Sequence, residues 1–173
     1  MKNSDVIKAL LLAAVNEIAA DPWKYAVNPI RDFTRNRKMG FHDTLMMLLT
    51  MEANCIKEEL YRYFGHTTDA PSKAAFYRQR RKLTGDALAN LLYTFNSRLQ
   101  KNLYNRKYQF IACDGSTTDI FRNRDDRHFF EPNGKSTKGF NQVHINAFYS
   151  ILDRRFTNFV VQPARSPAKK YQW

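Results

Sequence analysis

Asp114 is the residue in this chain best placed to do chemistry. It follows the aromatic and aliphatic run Tyr108-Gln-Phe-Ile-Ala-Cys113 and precedes Gly115-Ser116-Thr117. That pattern predicts a buried strand carrying a carboxylate to the rim of a sheet. A carboxylate so placed has two well-known uses. In one, an aspartate nucleophile stands two residues ahead of a second aspartate; that position is Ala112, so covalent phosphoryl transfer lacks its nucleophile. In the other, carboxylates from distant elements together hold two magnesium ions, which activate a water and stabilise a leaving oxygen. Downstream of Asp114 the acids are Asp119, Asp125, Asp126, Glu131 and Asp153. Their expected places, in a loop or a hairpin turn, do not converge on a strand end, so the site is expected to be incomplete.

A second chemistry lies in the cations. Lysine and arginine outnumber acids 28 to 16, a formal net charge of +12, and a polyanion is the partner this balance suggests. Two segments concentrate the charge. Arg31 to Lys38, with Arg35, Arg37 and Lys38, lies on phosphates or is a solvated loop; position in the chain does not decide which. Pro71 to Leu83 carries Lys73, Arg78, Arg80, Arg81 and Lys82 without an acid among them. Ser72 can cap a helix here, with Phe76 and Leu83 a heptad apart on its inward face and Arg78, Arg81 and Lys82 on its outward face. Such a helix can lie against duplex DNA, or can be an exposed basic face with no ligand.

The elements that must position these residues are helical first. Spacing of apolar residues predicts helices over Asp5 to Ala20 with Ser4 as N-cap, Phe41 to Met51, Ile56 to Phe64, and a longer one carrying Leu88, Leu91, Leu92, Phe95, Leu99 and Leu103. The three methionines of the second helix are read as packing. Ile56, Leu60 and Phe64 form the inward face of the third, opposite Glu58 and Glu59. Residues 102–107 are polar and basic and form the predicted boundary. Beyond the Tyr108 strand, residues 115–141 read as a polar connection, with Asn133-Gly134 and Gly139 as turn signals. Gln142 to Leu152 and Phe156 to Gln162 read as an antiparallel hairpin. Cys55 and Cys113 lie in apolar runs without metal-ligand spacing, so buried reduced thiols, and with them a cytoplasmic protein, are expected. The apolar run near the N-terminus is too short and too interrupted for a signal peptide, and no stretch is long enough to span a membrane.

Taken together, Ala112-Cys-Asp-Gly-Ser-Thr117, Phe140-Asn-Gln142, Val143-His-Ile-Asn-Ala-Phe-Tyr149, Phe159-Val-Val-Gln-Pro163 and the upstream Ser72 to Leu83 helix resemble the DDE transposases of bacterial insertion sequences, of the insertion-sequence-four type. The resemblance spans roughly residues 30–163. It implies an α+β chain: a helical, basic DNA-binding region over residues 1–104, the first three antiparallel strands of an incomplete RNase H-like core over 105–163, and an atypical tail over 164–173. Asp114 matches the first catalytic, magnesium-binding aspartate; the second aspartate and the Tyr-Arg-Glu-Lys helix have no counterpart. The resemblance further implies Mg²⁺ as cofactor and double-stranded DNA at transposon ends as partner, with a second copy or a full-length transposase as a further partner. Nicking and strand transfer are expected to lie beyond this polypeptide alone. A non-catalytic inhibitor or regulator derived from a transposase is the alternative, and an unstable remnant with an unpaired strand edge is a third reading.

Overall fold

The computed structural model describes residues 3–126, 128–130 and 139–164. It is an α+β structure with five helices and a four-stranded antiparallel sheet among those residues. The chain divides into two compact units, Met1–Gln100 and Lys101–Trp173. The tail beyond Ala164, Glu131 and the Asn133-Gly134 turn signal lie outside the described residues.

The first unit holds α1 (Asn3–Ala20), α2 (Phe41–Thr50), α3 (Ile56–Tyr63), α4 (Lys73–Arg80) and α5 (Asp86–Arg98). The first helix already includes Asn3, so Ser4 lies inside it rather than capping it. Two apolar clusters hold the unit together, and α2 contributes to both. Phe41 and Leu45 pack with Ala14, Val15 and Ile18 of α1 and Ala87 and Leu91 of α5. Met47 and the preceding Met39 pack with Leu60 of α3 and Phe76 of α4. The methionine-rich helix is therefore core, as its composition predicts. Its start is fixed by Asp43, whose carboxylate accepts the Gly40 N–H at 3.2 Å and favours the helix's positive end.

Further expectations fail in this unit. Glu59 is not on a solvated face: it is 2% exposed. Its carboxylate accepts the N–H groups of Glu52 and Asn54, at 2.9 and 3.2 Å, and Arg62 Nη2 at 2.8 Å, so it replaces the missing backbone partners of the α2–α3 turn. The basic helix stops at Arg80 instead of running to Leu83. Its last residues are drawn into a short antiparallel bridge, Ala26 against Leu83, with Val27 donating to the Lys82 carbonyl at 2.8 Å and Thr84 to the Tyr25 carbonyl at 2.9 Å. Phe76 and Leu83 consequently serve different clusters. Finally, α5 ends at Arg98, and Leu88 and Leu103, placed on its core stripe by spacing, are exposed.

The second unit is built on β3. Its strands are β1 (Ile111–Ile120), β2 (Phe129–Phe130), β3 (Phe140–Ser150) and β4 (Arg155–Pro163). β1 runs along one side of β3, from Ile111 opposite Ser150 to Ile120 opposite Asn141. β4 and the short β2 lie along the other side. The hairpin of β3 and β4 is as expected, and its turn is locked by Asp153, which accepts Ser150 Oγ and the Asn102 N–H, each at 2.8 Å. Burial pushes the Asp153 carboxyl up, but the Asn102 N–H, the Ser150 hydroxyl and Arg155 outweigh it and hold it below the usual range.

The Tyr108 strand departs most from expectation. It begins at Ile111, not Tyr108, and continues through Gly115-Ser-Thr-Thr-Asp119, which the polar composition had assigned to a loop. Threonine suits a strand wherever a neighbour supplies the ladder, and β3 supplies it over ten residues. Nor is the strand buried: every residue of β1 is exposed. Val143 alone among the unit's described hydrophobic residues is buried. Cys113 is exposed with its strand, and Cys55, which precedes α3, is exposed as well; neither is a buried thiol.

Candidate nucleic-acid interface

The two basic segments, separated by some forty residues of sequence, form one surface. Residues 28–38 make an arch whose two ends are fastened to the end of α4. At one end, the backbone of Tyr25 to Val27 pairs with Lys82 to Thr84. At the other, Gln79 Nε2 donates to the carbonyl of Met39 at 2.7 Å. Asn28 shapes the arch itself: its carbonyl accepts the N–H of Asp32 at 2.8 Å, and its own N–H donates to the Asp32 carboxylate at 3.0 Å. That leaves Asp32, the acid nearest the arginines, occupied with the backbone.

Phe33 is the keystone of the arch. Its φ is 58°, a left-handed conformation that is an outlier for a bulky residue and that concentrates at functional sites. Its ring is held edge-on against Phe41 at 5.2 Å, and Lys82 Nζ stands 5.6 Å from the ring centre, within cation–π range. Packing against the core thus fixes the strained turn and turns the flanking arginines outward.

Two adjoining recesses result. The larger, about 690 Å³, is lined by Arg31, Arg35, Arg37 and Lys82 together with Asp32, Phe33 and Gln79. The smaller, about 450 Å³, is lined by Arg37, Lys38, Arg78, Lys82 and again Gln79. Arg31, Arg35 and Arg37 pair with no carboxylate among the described residues; Lys38 meets Asp69 at 2.9 Å, and both partners are well exposed, so that pair holds little energy. The Lys38 ammonium nonetheless keeps the Asp69 carboxyl below its usual range. Of the cations expected to touch DNA, Arg35, Arg37, Lys38, Arg78 and Lys82 are brought together, whereas Lys73 and Arg81 are exposed and line neither recess. Sequence reading passed over Gln79 and Phe33. Gln79 was within reach of it, since i and i+3 spacing puts it on the same face as Phe76.

Asp114 has different surroundings. It is the fourth residue of a ten-residue strand, not its last, and its Oδ1 accepts the N–H of Gly115 at 2.9 Å. Opposed residues share a sheet face, so Asp114 lies with Ala147 and Phe159, an apolar neighbourhood. Asp119, five residues on, is on the other face, where its carboxylate accepts Gln142 Nε2 at 3.0 Å. Asp125 and Asp126 lie past the far end of the strand, about 20 Å along it from Asp114 at roughly 3.3 Å per residue. Asp153 is consumed by its turn. Among the described residues no three His, Cys, Asp or Glu side chains stand together to hold a metal.

No family model, no curated protein and no solved structure matches this chain. Among the described residues, no helix is long and apolar enough to cross a membrane.

Proposed function

We propose that the helical unit binds duplex DNA through the groove between the arch and α4, and that the chain is the DNA-binding and opening-core portion of a DDE transposase of the insertion-sequence-four type. The observation that carries the DNA-binding part is the convergence of six cations on two adjoining recesses, with the Asp32 carboxylate accepting a backbone N–H. Guanidinium groups held by a packed arch suit phosphates at fixed positions. In support of the transposase reading, three long antiparallel strands follow the helices, as the resemblance implies for the start of its core. In that reading Asp114 stands at the first acidic position.

A second reading, DNA binding without catalysis, is favoured by the parity that sets Asp114 and Asp119 on opposite faces of the sheet. Here the chain occupies DNA ends or joins a full-length enzyme as an inhibitor.

Binding measured by fluorescence anisotropy over a salt series tests the shared claim. The affinity of wild type is expected to fall steeply with salt. The paired variants Arg35→Gln with Arg37→Gln, and Arg78→Gln with Lys82→Gln, are each expected to reduce the slope of log affinity against log salt by about 2, at roughly 0.9 per phosphate contact. Unchanged slopes in both pairs would overturn the assignment of the groove. Preference for transposon-end over random duplex would support the transposase origin, and its absence would count against both readings of end recognition.

A further inference from the structure

The sheet unit begins with a tight hairpin that plays no part in the groove. Tyr104 and Tyr108 exchange backbone hydrogen bonds at 2.8 and 3.0 Å, and Asn105 and Arg106 turn the chain between them at φ 49° and 57°. Glycine is the usual second member of such a left-handed pair; here the place belongs to Arg106, whose cation therefore stands at the tip. Opposed residues share a face, so Tyr104 and Tyr108 lie together, and the Phe110 ring centre stands 5.4 Å from that of Tyr104. All three rings are about half exposed. Lys101, Arg106 and Lys107 are exposed in the same segment, and Lys107 Nζ lies 5.3 Å from the Tyr108 ring centre. No acid occurs from Leu99 to Cys113. The neighbouring turn between β3 and β4, tied on by the Ile151 N–H donating to the Phe110 carbonyl at 3.0 Å, adds exposed Arg154. Its one acid, Asp153, is buried and already accepts from Ser150 and Asn102. Among the described residues, none of these four cations pairs with a carboxylate.

Open aromatic faces interleaved with unneutralised cations are what grips a single nucleic-acid strand, whose phosphates meet the cations while its unstacked bases lie on the rings. A duplex suits the hairpin less, because its bases are stacked on one another and show only their edges. A second copy of the chain, at a formal charge of +12, would bring like charge to the same place. We infer that the hairpin from Tyr104 to Phe110 binds single-stranded nucleic acid, with bases on Tyr104 and Tyr108 and phosphates on Arg106 and Lys107. This surface shares no residue with the groove, so it is tested apart from duplex binding. The probe is fluorescein-labelled oligothymidylate, compared by anisotropy with an abasic strand of the same length and charge. Wild type is expected to bind the thymidine strand at least about fivefold more tightly, and Tyr104→Leu with Tyr108→Leu is expected to bind both alike. Arg106→Gln with Lys107→Gln is expected to lower the salt slope for oligothymidylate by about 1.4, at roughly 0.7 per phosphate contact.

Equal binding of the thymidine and abasic strands by wild type overturns the inference. So does a thymidine preference that persists in a cooperatively melting tyrosine double variant. Should that variant not melt cooperatively, photocrosslinking wild type to a strand carrying iodouracil decides: label on Tyr104 or Tyr108 supports the contact, and label confined elsewhere refutes it. Tyrosine-dependent capture on phosphatidylserine vesicles, with no thymidine preference, reassigns the hairpin to an anionic membrane surface and also overturns the inference. A tyrosine-dependent thymidine preference without salt-dependent duplex binding sinks the groove reading and leaves the hairpin standing.

Discussion

Glu59 shows how one side chain can be misread from its type. Charge suggested the solvated face of α3, yet the carboxylate satisfies two backbone donors and Arg62 at once. Burial pushes its carboxyl up, but the N–H groups of Asn54 and Glu52 and the charge of Arg62 outweigh that and hold it below the ordinary value of 4.5. A depressed carboxylate stabilises the fold above its ordinary value and loses that contribution as pH falls through the folded value. The melting temperature of wild type is therefore expected to exceed that of Glu59→Gln at about pH 7, with the gap closing as pH is lowered to about 3. A gap independent of pH would mean the charge is immaterial. Asp153 has the corresponding place in the sheet unit. Its removal in Asp153→Ala leaves Ser150 and Asn102 without their acceptor and Arg155 without its ionic partner and is expected to cost about 2 kcal/mol, measured by urea unfolding followed through the circular dichroism of the sheet.

Among the elements, α4 and the arch explain why neither basic segment could be preferred from sequence. Helical spacing identifies the helix and its cap, and Ser72 does accept the Ala75 N–H at 3.3 Å. Nothing local announces that its last turn is exchanged for a bridge to Ala26, since that bridge depends on a partner more than fifty residues earlier. Gly115 in β1 and Gly139, just before β3, make a comparison at the same scale. A methyl group added at Gly139 meets the Phe129 ring at 2.2 Å and the Phe130 carbonyl at 2.4 Å. Because the second of these is backbone, Gly139→Ala is expected to cost about 1–3 kcal/mol. At Gly115 the added methyl meets the far end of the His144 side chain at 2.8 Å, which can swing aside, so Gly115→Ala is expected to cost less than about 1 kcal/mol. Thermal melts of the two variants, compared side by side, check the ranking.

At the scale of the whole molecule, the two units differ in how they are held together. Both apolar clusters belong to the helical unit, and the sheet unit relies on its ladder and on polar locks such as Asn141, whose amide accepts from Asn123 N–H and donates to Asn123 C=O, both at 2.8 Å. Native-state hydrogen exchange is accordingly expected to leave the slowest amides in α1, α2 and α5, with those of β1 exchanging earlier. Slow β1 amides would show that something covers the strand in solution.

The sequence by itself determined the α+β character, the methionine-rich core helix, the Ser72 cap and the closing hairpin, because each follows from periodicity or capping within about a dozen residues. It also located both basic segments, since charge is written directly in composition. The tertiary structure decided the rest. β1 extends through a polar run because β3 is there to pair with it; Asp114 and Asp119 face apart because strand parity separates them. The cation-lined groove exists because backbone pairing and the Gln79 to Met39 bond bring together cations that are distant in sequence. Contacts between distant residues leave no local periodicity to be read, and the groove is made of such contacts.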